Sequence, residues 1–180
     1  MPRNRVLIIK MKLFLHKNEG IQLFGFGRCD GMLRIYDSPA SIDADKLMQV
    51  YHGSGLSLGK QREFCDSLYS FFSVPGAVYA VWEEDGIYKS ALRVEPYCDG
   101  AIIAGLETHQ DARCLGYATM LLSQTVAAMN WNIIYSHVSK GNGASMRVHL
   151  KCGFRQVMDH AVFLDGSVSQ SYVTLRKDKK

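Results

Sequence analysis

The sequence predicts a mixed α/β fold in which a central, mainly antiparallel sheet is flanked by helices. Three observations predict it. Three apolar, β-favouring runs at residues 77–83, 87–97 and 101–109 are joined by tight turns at Glu84-Asp85-Gly86 and Asp99-Gly100, both hairpin signals. Two segments of helical period, residues 117–129 and 144–152, are separated by one strand-like run at 132–138. The chain then closes on two further β-favouring runs, 154–164 and 171–176, expected as an antiparallel pair. The succession from residue 77 is β-β-β-α-β-α-β-β, which differs from the regular β-α alternation of a doubly wound parallel sheet.

Taken in order, residues 5–15, 21–26 and 32–36 read as strands divided by turns at Asn18-Glu19-Gly20 and Cys29-Asp30-Gly31. Ser41 opens an acidic first turn, Asp43 and Asp45, for a helix that stops before Gly53-Ser54-Gly55. From 59 to 72, Phe64, Leu68, Phe71 and Phe72 recur at helical spacing until Pro75-Gly76. This stripe suits either a helix packed on the sheet or the lining of an acceptor pocket. In the helix at 117–129, Ala118, Leu121, Leu122, Val126 and Met129 fall on one stripe.

A chain of 180 residues suits one domain. Residues 1–75 are expected to form its acceptor-specificity region and 76–180 its core. A hydrophobic content of 47% with 21% charge describes an ordinary soluble protein. The net charge of +4 favours anionic ligands mildly, but no Lys/Arg run resembles a nucleic-acid tract. Five cysteines without a C-x-x-C pair argue against a disulfide framework and against a zinc site, so no metal is expected. No run approaches the roughly 18 apolar residues of a membrane span, and no signal segment is visible. A cytoplasmic protein, monomer or homodimer, is the expectation.

The chemistry concentrates in two motifs. Arg113-Cys114-Leu115-Gly116-Tyr117-Ala118 stands between a strand and an amphipathic helix. Consecutive backbone N–H groups at a helix N-terminus converge on an anion such as a pyrophosphate, and the helix dipole adds to the attraction. Gly116 and Ala118 keep that approach free of bulk, and Thr119 adds a hydroxyl. Taken alone, Gly116 could be only a turn glycine. The second motif, Asn142-Gly143-Ala144-Ser145 running on to Gly153-Phe154, lies downstream in the next helix.

With both motifs in this order, residues 77–165 resemble the GNAT superfamily of N-acetyltransferases. That family's cofactor loop reads Gln/Arg-x-x-Gly-x-Gly/Ala, matched by Arg113 to Ala118, and its later signature is matched by Asn142, Ser145, Gly153 and Phe154. The resemblance implies that acetyl-CoA is the co-substrate and that amides around Leu115, Gly116, Tyr117, Ala118 and Thr119 hold its pyrophosphate. It implies that Thr108 pairs with the pantetheine arm, that the Leu106 amide faces the thioester oxygen, and that Asn142 and Ser145 form the opposite wall. Gln110 and Cys114 depart from the family consensus, but main-chain donors leave the mechanism intact. Residues before 77 carry no motif of the family.

Acetyl transfer to an amine must remove a proton from a group of pKa roughly 10, stabilise an oxyanion, and protonate the thiolate that leaves. Glu107 is the first candidate base. Its neighbours Ile102, Ile103, Ala104, Gly105 and Leu106 suggest a desolvated carboxylate able to accept a proton; a solvent-facing carboxylate or one paired with Arg93 is the bland alternative. His149 stands where the family often has a tyrosine that protonates the thiolate, and imidazolium could do so near neutral pH. A helix histidine is as readily a satisfied core residue. His109 and His137 could act through water or be polar lining, and Tyr97 and Tyr117 could touch substrate or only pack.

The leading expectation is therefore transfer of acetyl from acetyl-CoA to a primary amine by direct attack in a ternary complex. A small-molecule amine is favoured over a protein amine as acceptor. The alternative is a catalytically inactive sensor or scaffold that binds CoA or acyl-CoA. A dinucleotide-binding domain is disfavoured by the absence of G-x-G-x-x-G. No nucleic-acid or membrane partner is expected.

Overall fold

The computed structural model describes residues 31–179. The strands expected at 5–15 and 21–26 lie outside the described residues. The elements are β1 (Met32–Tyr36), α1 (Ala44–His52), α2 (Leu58–Phe72), β2 (Val78–Glu84), β3 (Ile87–Tyr97), β4 (Gly100–Thr108), a 3-10 turn (Gln110–Ala112), α3 (Tyr117–Ala128), β5 (Ile133–Ser139), α4 (Gly143–Lys151), β6 (Arg155–Met158), β7 (Ala161–Val162), β8 (Val168–Ser169) and β9 (Tyr172–Asp178). Seven strands form one sheet in the order β1-β2-β3-β4-β5-β9-β6. All neighbours are antiparallel except β4 and β5, so the expected mixed, mainly antiparallel sheet is present.

The expectation of one strand over 154–164 is corrected. β6 ends at Met158, and the next residues form β7, which pairs with β8 in a separate two-stranded sheet. Local hydrogen bonds explain the break. Thr174 donates its hydroxyl to the His160 carbonyl at 2.7 Å, and Tyr97 and the His137 Nε2–H both donate to the Val162 carbonyl, at 2.6 and 3.0 Å. These bonds hold the 160–162 backbone against side chains of the sheet's face instead of its ladder.

Alternating side chains give the sheet two apolar faces. On one, Leu92, Val94, Ile103, Ile134 and Leu175 pack with Leu121, Leu122 and Val126 of α3 and with Phe154 after α4. On the other, Leu47 and Val50 of α1 and Leu68 and Phe71 of α2 cover Tyr79, Val81 and Ala91. The Phe64–Phe72 stripe is thus helix-on-sheet packing; Phe71 meets the Tyr79 ring edge-on at 4.9 Å.

Caps set the helix ends. Asp43 accepts from the Lys46 N–H at 3.1 Å to open α1, and Asn142 accepts from the Ser145 N–H at 2.9 Å to open α4. Beyond the C-termini of α3 and α4, two lysines at the end of the sheet reach back. The Lys177 ammonium donates to the Cys152 carbonyl at 2.5 Å, and the Lys179 ammonium to the Met129 carbonyl.

Two irregularities in and after β4 shape the centre of the sheet. First, one residue of β3, Leu92, opposes two of β4, Gly105 and Leu106: Arg93 faces Ala104 while Ala91 faces Glu107. This is a β-bulge. Second, the parallel pairing of β4 with β5 runs from Ala101↔Ile134 to Ile103↔Ser136, and the strands part beyond it. Parting opens a gap in the middle of the sheet.

Candidate acyl-transfer site

The gap leads into a cleft between α3 and α4. The cleft has a volume of about 610 Å³ and is lined from β4 by Leu106, Glu107 and Thr108, from the following loop by Ala112 to Cys114 and Gly116, and from the start of α3 by Tyr117 to Thr119. Its opposite wall is α4, with Asn142, Ala144, Ser145, Arg147, Val148 and Lys151. A smaller cavity of about 200 Å³ occupies the gap itself, between Ala104 to Glu107 on β4 and Ser136 to Ser139 on β5. Leu106, Glu107, Asn142 and Ser145 line both cavities, so the two adjoin.

The loop before α3 is built by backbone conformation. Gly116 is the N-cap with φ +89, the left-handed region that glycine adopts freely. A Cβ built on Gly116 would meet nothing within 4 Å, so open space lies over the loop. Arg113, Cys114, Leu115 and Gly116 are all exposed, and Cys114 also has positive φ, +62. The N-terminal turn of α3, Tyr117 to Thr119, borders this space. Arg113 donates from Nε to the Thr108 carbonyl at 3.4 Å, which ties the loop to the end of β4.

Of the ten residues the resemblance assigns to the cofactor, nine line the cleft; Leu115 is 67% exposed and stands outside it. The cleft also holds two cations absent from the sequence-based candidates, Arg147 and Lys151, one helical turn apart on α4. Their signal was available: cations spaced i, i+4 in the helix that Asn142 opens. With Arg113 they make three cations against one carboxylate, Glu107, in the lining. That set fits an extended ligand carrying several phosphates. Among the described residues no group of His, Cys, Asp and Glu side chains is placed to hold a metal.

Glu107 sits at the mouth of the gap but is exposed. The desolvation expected from its apolar sequence neighbours does not reach it. Glu107 pairs with Ala91 and shares the α1/α2 face, whereas Leu106 packs with the α3 cluster. Arg93 is not its partner in the hydrogen bonds described; its guanidinium lies 5.6 Å from the Phe71 ring. The backbone of Glu107 is held by Ser90, whose hydroxyl donates to the Glu107 carbonyl at 2.5 Å.

His149 is fully buried on α4 against the Phe154 ring, centroids 5.2 Å apart. Its Nδ1–H donates to the Ser145 carbonyl at 2.8 Å, and Nε2 is buried without a hydrogen-bond partner beside the gap. Burial pushes its pKa down, opposed in part by the Ser145 bond. The imidazolium expected as proton donor is therefore disfavoured at neutral pH, where Nε2 carries a lone pair and accepts. This corrects the donor role while leaving His149 at the gap.

The remaining candidates separate clearly. His137 spends both ring nitrogens on Val162 and Thr174, and burial lowers its pKa. His109 caps the 3-10 turn by accepting from the Asp111 N–H at 3.3 Å. Tyr97 is buried and binds Val162, and the Tyr117 hydroxyl is bonded to Glu84. Sequence reasoning missed the bulge altogether. Gly105 has φ +58, and its carbonyl accepts from the Tyr51 hydroxyl at 2.6 Å.

Solved structures share this architecture. The N-acetyltransferase PseH of Campylobacter jejuni, in complex with acetyl coenzyme A, superposes with a TM-score of 0.63 at 8% identity, over 83% of this chain and 100% of that one. An acetyltransferase from Thermus thermophilus gives 0.64 at 18% identity, over 82% and 97%. A spermidine N-acetyltransferase, a chimera of Vibrio cholerae SpeG and hSSAT, gives 0.62 at 16%, over 82% and 95%. Comparison with curated protein sequences finds no significant match. Among the described residues no helix is long and apolar enough to cross a membrane. A family model, the acetyltransferase (GNAT) family, matches residues 45–154, so the likeness begins within α1 rather than at residue 77. With its cleft, its left-handed loop glycine and its parted strands, the chain belongs to the GNAT acetyltransferase family.

Proposed function

We propose that this protein is an N-acetyltransferase that moves acetyl from acetyl-CoA to a primary amine by direct attack in a ternary complex. The observation that carries the reading is adjacency. A 610 Å³ cleft with a helix N-terminus and three cations adjoins a 200 Å³ gap whose lining holds a carboxylate but no Lys or Arg. The first compartment suits a phosphorylated carrier, and the second suits an amine that arrives as a cation.

The amides from Leu115 to Thr119 bind the pyrophosphate, and the β4 edge around Thr108 pairs with the pantetheine arm. Asn142 and Ser145 close the other wall; Asn142 keeps its side-chain amide for the ligand while its oxygen caps α4. The Leu106 N–H stabilises the oxyanion. Glu107, open to solvent at the gap, takes the proton of the ammonium directly or through one water. As the C–N bond forms and the C–S bond breaks, Nε2 of His149, its ring fixed by Ser145, accepts the second amine proton and passes it to the CoA thiolate, which leaves as the thiol. Positioning the two substrates in line supplies much of the remaining acceleration.

The acceptor we favour is a small amine, as in the spermidine enzyme of like fold, because the gap has a volume of about 200 Å³. Acceptor choice is assigned to the α1/α2 layer and to the residues before it. The test is a thermal-shift series with acetyl-CoA, NAD and ATP. Acetyl-CoA at one hundred times its Kd stabilises by about 2.7 kcal/mol. A rise with NAD or ATP and none with acetyl-CoA overturns the reading. Thiol release across polyamines, amino acids and peptides then identifies the acceptor; release with none of them marks a binding module.

A further inference from the structure

The bulge in β4 is flanked by two side chains, Tyr51 from α1 in the opposite layer and Arg93 from the neighbouring strand β3. A Cβ added at Gly105 would meet Arg93 Nε at 3.2 Å and the Tyr51 hydroxyl at 3.4 Å, so these groups occupy the space a larger residue needs. The Tyr51 hydroxyl donates to the Gly105 carbonyl at 2.6 Å. Burial raises the Tyr51 phenol well above its ordinary pKa, which keeps the proton on the donor throughout the working pH range. The ring is fixed independently, with centroids 6.2 Å from Phe64 and 6.5 Å from Tyr79.

In a planar trans peptide unit the C=O and the following N–H point in opposite directions. The Gly105 carbonyl is pinned toward α1, so the N–H of the same unit, that of Leu106, points away from α1. That is the side of the cleft, which Leu106 lines. A hydrogen bond accepted by a peptide carbonyl also polarises the unit and strengthens its N–H as a donor.

We propose that Tyr51 is a positioning residue for acyl transfer: its hydroxyl orients and polarises the Gly105–Leu106 peptide so that the Leu106 N–H meets the thioester carbonyl oxygen. The proposal rests on the reading of Leu106 as the oxyanion donor. It links α1, in the layer assigned to the acceptor, to the reacting carbonyl through one hydrogen bond.

The experiment uses acetyl-CoA labelled with ¹³C at the thioester carbonyl and infrared difference spectra of its binary complex, which requires no acceptor. A hydrogen bond to the carbonyl lowers its stretching frequency. In the wild-type complex the band lies below that of free acetyl-CoA; in Tyr51→Phe, which keeps the ring contacts, it returns toward the free value. Acetyl-CoA Kd stays within about threefold, because the pyrophosphate contacts are untouched. Replacing Tyr51 with 3,5-difluorotyrosine, a stronger donor, moves the band further down. This second variant keeps the hydroxyl and covers the case in which Tyr51→Phe does not fold. An unmoved band in a folded variant, or in the difluoro protein, overturns the proposal: Tyr51 then only packs α1 on the sheet. Failure of wild-type protein to bind acetyl-CoA overturns the cofactor reading itself and takes the proposal with it.

Discussion

Two glycines with positive φ stand on either side of the proposed reaction centre, and they differ in what surrounds them. Gly116, at φ +89, faces empty space; Gly105, at φ +58, is packed against Arg93 and Tyr51. At Gly116 the special backbone borders the open space that we assign to the ligand. At Gly105 it leaves room for two side chains, Tyr51 from the helical layer and Arg93 from the neighbouring strand. One corner is a local device, complete within six residues. The other requires residues 51, 93 and 105 to meet. The comparison teaches that the loop proposed to hold the pyrophosphate is encoded along the chain, whereas the corner assigned to the thioester carbonyl is assembled across it.

Substitutions can break this contrast. The largest effect is expected at the local corner. Gly116→Glu places bulk and negative charge in the open space over the α3 amides, and acetyl-CoA affinity measured by calorimetry should fall at least ~100-fold, in line with two opposed charges in a partly desolvated site. Stability should change little, by about 1–2 kcal/mol for the left-handed backbone alone. Next is Glu107→Gln at the gap. Turnover with the identified amine should drop roughly 100-fold while acetyl-CoA Kd holds, and an unchanged pH–rate profile would remove Glu107 from the base role.

The packed corner should respond in stability. In Gly105→Ala the backbone strain of about 1–2 kcal/mol adds to the contact with Arg93, for a Tm drop on the order of 5 °C in a chain of this size. Gly116→Ala, with nothing near its Cβ, should lower Tm by less. Equal drops would erase the distinction between the two corners.

The smallest effect concerns His149. Its folded pKa is lowered from 6.5 by burial, so the folded state prefers the neutral ring. The stability this contributes is complete above the unfolded value and is lost as pH falls from about 6.5 through the lower folded value. Tm should therefore decline between pH 7 and pH 5, and His149→Gln should flatten part of that decline. A profile unchanged by the substitution would show that the ring titrates alike in both states.

Much of the fold was legible because turn chemistry is local. β3 begins and ends where the hairpin signals place it, at Ile87 and Tyr97, and α2 starts one residue before its expected position. The lining of the cleft was legible for the same reason: the nine assigned residues found there come from the two short motifs, the strand before them and the adjoining Thr119, and the chemistry we assign them is largely main-chain. Glu107 was misjudged because its sequence neighbours were treated as its spatial neighbours. In a strand adjacent residues face opposite ways, so the apolar Leu106 offers it no shelter. The bulge escaped notice although a glycine inside a strand run is a signal for one; its register with Leu92 and its contact with Tyr51 establish it. The 154–164 run misled because its apolar residues pack on sheet side chains; Phe163 meets the His137 and Tyr172 rings at 5.5 Å each.

The lysines that close the ends of α3 and α4 have an implication for assembly. Lys177 and Lys179 belong to or follow β9, which lies between β5 and β6 and comes after both helices in the chain. Both walls of the groove are therefore tied at their far ends to a strand that lies between β5 and β6. A chain cut before residue 172 would carry both motifs and lack the strand whose lysines close the ends of both helices.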